Sequence, residues 1–134
     1  MAVDPNGRTL VIKLDGASGG RLFRVATTGG PVEEIPVPRE WSLAPVSIGQ
    51  SAVAKDGRIL IPVSPPDSWF YRLAQLDPER RQGAVIPVSY SGDTIAGGWT
   101  SDGRIVAAGL PLKGQIWHFS RIAEGSLLSA GSSQ

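Results

Sequence analysis

Few residues in this 134-residue chain could do bond-making chemistry: there is one histidine and no cysteine. His118 could act as a general base or a metal ligand. Zinc sites are built mainly on His and Cys with carboxylates in support, and one imidazole with no thiol argues against such a site. The run Gly16-Ala17-Ser18-Gly19-Gly20 places a serine third, as a nucleophile elbow does. An elbow also needs a strand before it and a helix after it, and no helical pattern follows. The same lack of a helix start excludes a phosphate-cradling glycine loop. Asp15, Asp67 and Asp93 fall in loops and could offer oxygens to calcium, but no EF-hand spacing links them, and turn formation is the plainer role. The expectation is a chain with no catalytic residue, no cofactor and no metal.

Binding is a different matter. Four tryptophans stand at positions 41, 69, 99 and 117. Trp41 lies in a proline-bounded loop, 38–45, and Trp69 follows the Pro65-Pro66-Asp67 turn. Aromatic side chains on loops carried by a rigid scaffold are effective contact anchors. Trp41, Trp69, Asp67 and Asp93 are therefore the candidate binding residues. Packing between sheets is the competing role for both indoles. Trp99 and Trp117 sit in apolar, strand-like runs and read as core.

The scaffold that must position these groups is written in a repeat. Asn6-Gly7-Arg8-Thr9-Leu10-Val11 recurs as Asp56-Gly57-Arg58-Ile59-Leu60-Ile61 and as Asp102-Gly103-Arg104-Ile105-Val106-Ala107. Each Asn/Asp-Gly pair between apolar runs predicts a tight two-residue hairpin, both residues tolerating positive φ. Each is followed by a run apolar on both faces, 10–14, 59–63 and 105–108, suited to a strand covered on both sides. A further strand follows with an aromatic-basic-apolar order: Phe23-Arg24-Val25, Tyr71-Arg72-Leu73 and Trp117-His118-Phe119. In that alignment His118 takes the place of Arg24 and Arg72 and reads as a solvated strand position. Outer strands carry Pro36 and Pro87; proline lacks the N–H that a central strand needs, which predicts sheet edges. Inner strands are placed at 46–54 and 94–100, and 78–81 reads as a loop. The fold class that follows is all-β: about three four-stranded antiparallel blades of a β-propeller, at roughly 1–40, 41–92 and 93–122, with a Ser/Gly-rich tail at 123–134.

Composition narrows the partners. A net charge of +1 with both signs scattered argues against nucleic acid. No apolar run approaches the length of a membrane span. Hydrophobic residues at 41% are enough for a folded core. Cysteine-free composition leaves the compartment open.

With the turn Asp4-Pro5-Asn6-Gly7-Arg8, its counterparts Ala54-Lys55-Asp56-Gly57-Arg58 and Thr100-Ser101-Asp102-Gly103-Arg104, and the Thr28-Gly29-Gly30 turn after Phe23-Arg24-Val25, the chain resembles the TolB-type, WD40-like propeller repeat over roughly residues 2–122. The Ser-Pro pair usual before Asp-Gly is imperfect in every copy. The resemblance implies a bacterial propeller and, since such repeats serve many proteins, a non-enzymatic platform for a protein or small ligand, in the C-terminal part of a larger sensor or scaffold. The alternative is a propeller accessory to a peptidase, or a lactonase-like hydrolase. Three blades do not close a ring of the usual ~4–8. The expected remedies are a homodimer forming a six-bladed ring, or further blades in a longer parent.

Overall fold

The computed structural model describes residues 1–16 and 19–114. They form ten strands in chain order: β1 (Ala2–Val3), β2 (Thr9–Leu14), β3 (Arg21–Ala26), β4 (Glu33–Ile35), β5 (Ser42–Leu43), β6 (Ile59–Ser64), β7 (Arg72–Asp77), β8 (Gln82–Val85), β9 (Gly92–Trp99) and β10 (Ile105–Pro111). No described residue is helical. Neighbouring strands are antiparallel, in sheets ordered β1-β2-β3-β4, β5-β6-β7-β8 and β9-β10. The sequence expectation of antiparallel sheets joined through repeated hairpins is met to this extent.

The hairpins are where the sequence places them, but their turns are of another type. Gly7 N–H donates to Asp4 O, Gly57 N–H to Ala54 O and Gly103 N–H to Thr100 O, at 2.9, 3.0 and 3.0 Å. These glycines have φ of 69°, 85° and 81°, whereas Asn6, Asp56 and Asp102 do not enter the left-handed region. Each turn is thus a four-residue one closed by a left-handed glycine, and only the glycine needs the positive φ. β4 and β8 are outermost as expected, but the prolines are not carried in them: Pro36 and Pro87 lie just beyond the strand ends, where no ladder N–H is needed.

The inner strands differ in two respects from those placed at 46–54 and 94–100. A short inner strand, Ala2–Val3, is present in the first sheet, pairing with Val11 and Leu10. In the second sheet the inner strand is split. Ser42 and Leu43 pair with Ser64 and Val63, residues 45–51 swing away, and contact with β6 resumes through Leu60 N–H to Ala52 O and the Val53–Ile59 bridge. Pro62 explains where the strand leaves. Ala44 N–H donates to Pro62 O at 3.0 Å, but Pro62 has no N–H to return the bond, and Pro45 follows. The detour docks instead on β9, where Trp99 N–H donates to Ser51 O at 2.8 Å. Gly97 and Gly98 make room, since a Cβ on Gly98 would meet Ser51 Oγ at 2.2 Å.

The register also corrects the aromatic-basic alignment. Arg24 stands opposite Val11 and Arg72 opposite Val63, four and six residues beyond their hairpin glycines. The two arginines therefore share a face but not a position. His118, aligned with both, lies outside the described residues, as do Ser18 and Trp117.

The core centres on β6, whose Ile59, Leu60, Ile61 and Val63 are all buried, with Leu73, Ala74 and Leu76 of β7 beside them. Val11, Leu22 and Ile35 extend it into the first sheet. Burial on both faces of β6 is what its unbroken apolar run anticipates.

Candidate functional site

β6 is the strand that separates the two candidate surfaces. Its first residue leads from the 54–58 hairpin and its last leads into the loop bearing Trp69, about 20 Å away for a six-residue strand. On the loop side, residues 65–70 are pinned: Ser68 N–H donates to Pro65 O, and Ser68 Oγ donates to Phe70 O and accepts from Phe70 N–H at 2.9 and 3.1 Å. Arg72 lies over the Phe70 ring and donates to the carbonyls of Tyr90 and Gly92. On this fixed turn the Trp69 side chain is wholly exposed, at 101% of its reference area. Asp67, on the same turn, is exposed too.

The other candidates are used in packing. Trp41 is half-buried against the core, with its indole on Gly83 of β8. It lines a cleft of about 230 Å³ with Gly20, Leu22, Ile35 and Leu43. Asp93 Oδ1 accepts the Tyr71 N–H at 2.8 Å while Thr94 N–H donates to Tyr71 O at 2.9 Å, which fastens β9 to the start of β7. Trp41 thus stands half-buried in a cleft, whereas Trp69 stands fully in solvent. Asp15 pairs with Lys13. Among the described residues no three of His, Cys, Asp and Glu converge as a metal-ligating group.

On the hairpin side, sequence reading missed a cleft. Its volume is about 520 Å³, within the range of ligand sites, and all three repeats contribute: Val3 and Pro5, then residues 53–56 and Arg58, then Trp99, Thr100, Ser101 and Gly103. Gln50 and Ser51 of the detour complete it. Trp99 is half-buried instead of fully in the core, and the Arg58 guanidinium lies over its ring at 4.9 Å. Arg58 is held there by Asp56 Oδ2 at 2.7 Å and Gln75 Oε1 at 3.1 Å. Trp99 Nε1 is buried and has no acceptor among the described residues. The neighbouring Asp102 carboxyl is held below its ordinary range, first by the Thr100 hydroxyl. The signal that could have found this cleft is the repeat itself, because all three like hairpins line it.

No protein-family model matches this chain, and no curated protein or solved structure proves similar to it.

Elsewhere the surface carries ion pairs that join elements. Arg24 bridges Glu33 of β4, at 2.8 Å, and Glu79 of the β7–β8 turn, at 2.6 Å; with Glu79 the larger influence, they hold its guanidinium above its usual range. Arg21 binds Glu34 with two nitrogens and lowers that carboxyl. These exposed groups knit the sheets without forming a reactive centre.

Proposed function

We propose that this chain is an arc of a β-propeller that works as a non-enzymatic binding platform. Three features support the architecture. Two four-stranded sheets share one strand order, the third sheet starts with the same hairpin, and the repeat hairpins share one rim. The observation that carries the binding role is Trp69. A large apolar ring held fully in water on a pinned turn contributes nothing to the core, yet it presents the side chain most enriched at interaction hot spots. The partner is a protein or a ligand that buries this ring.

Retention of partners from a bacterial lysate on the immobilised chain tests the reading. A species retained by the wild type and lost with Trp69→Ala, at equal folded fraction, is the expected result. Equal retention by Trp69→Ala would remove Trp69 as the anchor.

A further inference from the structure

The hairpin cleft is a second site, on the rim opposite Trp69, and it has its own chemistry. Val3, Pro5, Val53, Ala54 and Trp99 form a mostly apolar wall. Its charged groups do not balance. Asp56 is taken up by Arg58, whereas Lys55 is exposed and has no ion-pair partner among the described residues. The cleft therefore presents one uncompensated ammonium beside an apolar pocket, with Gln50, Ser51 and Ser101 as neutral hydrogen-bonding groups. At about 520 Å³ it takes a one- or two-ring molecule and not a folded partner.

We infer that this cleft binds a small aromatic carboxylate, ring against the Trp99–Val53 wall and carboxylate toward Lys55. Both halves of such a ligand are matched. The ring replaces water on apolar surface, and the anion supplies the charge that Asp56 spends on Arg58. A neutral ring compound meets only the first half. A cation meets neither, because Arg58 already lies over the indole. Arg58 also keeps its place through Gln75, so the cleft is formed before any ligand arrives.

The probe is naphthalene-1-carboxylate, titrated into the isotopically labelled full chain and followed by two-dimensional NMR, with naphthalene-1-methanol as the neutral counterpart. Saturable binding is expected, with shifts concentrated at the Trp99 indole N–H and at residues 54–58 and 100–103. The carboxylate should bind about fivefold more tightly than the alcohol, and Lys55→Gln should erase that difference. Val3→Trp, at an already exposed position on the wall, should block both compounds. Trp69→Ala should change neither affinity. Absence of saturation at millimolar probe, equal affinity for acid and alcohol, shifts centred away from Trp99, or indifference of a folded Lys55→Gln protein would each overturn the inference.

Discussion

The Trp41 indole occupies the space that Gly83 leaves by having no side chain: a Cβ there would stand 2.7 Å from two ring carbons and 2.9 Å from Leu76 Cδ2. Loop and outer strand are thereby locked through one missing methyl group. Gly83→Ala should cost about 1–3 kcal/mol, because the ring and Leu76 must both shift to admit the methyl group. Trp41→Ala should cost a comparable amount, and the double variant less than the sum, since both changes act on one contact. Urea midpoints of the four proteins give the cycle.

Trp69 should behave in the opposite way. Its removal should leave stability within about 0.5 kcal/mol of wild type, the ordinary range for a surface change. Any partner that uses it should lose about 2 kcal/mol or more of affinity. Thermal melting paired with a binding isotherm separates the two effects.

Asp93 is expected to be structural. Asp93→Ala strips the acceptor from the Tyr71 N–H and should cost about 1–2 kcal/mol. Asp93→Asn keeps an oxygen in place and should recover most of it. If the alanine variant melts with the wild type, the β9–β7 fastening does not depend on this carboxylate.

Acid should weaken the fold in a defined window. Glu34 is held low by Arg21, Asp77 by the Arg80 backbone N–H, and Asp102 by Thr100. A carboxyl depressed in the folded state contributes stability that is present above its unfolded pKa and is lost as pH falls through the folded value. Melting temperature should be flat from about pH 7 to 5 and decline below about pH 4. Glu34→Gln should flatten part of that decline. Arg21 and Arg24 are raised above an already high range, so neither adds a transition near neutrality.

Association is the remaining expectation. Val106, Leu110 and Leu112 are exposed on and just beyond β10, whose outer edge is unpaired among the described residues. Open edges and apolar faces recruit other chains. Sedimentation should show concentration-dependent association, and a monomer across the whole range would exclude a two-copy ring.

Much of the scaffold was legible because it rests on residues with one physical option. Gly7, Gly57 and Gly103 mark turns that only glycine closes without strain, and Pro36 and Pro87 mark edges. The inner strand of the second sheet was misplaced for a reason of the same kind. Val46, Ile48 and Val53 look like strand residues, and Ile48 and Val53 are buried, but Pro62 denies β6 the donor that would have held the strand there. That exclusion operates across strands, where local apolar pattern carries no information. Trp41 and Trp69 look alike in their loops. What separates them is a glycine more than forty residues from Trp41 in one case and open water in the other. The hairpin cleft went unread because no single copy contains it.

The joints between sheets are unequal in kind. Second and third are stitched by main-chain bonds, at Tyr71–Thr94 and Ser51–Trp99, while among the described residues no main-chain bond crosses from first to second. There the bridge is Arg24–Glu79 and side-chain packing such as Leu43 against Gly20. Under tension the molecule therefore has a designated tear line. Pulled from its ends, it would part between the first and second sheets, and amides near Ser51 and Trp99 would still be protected from deuterium after those of the first sheet had exchanged.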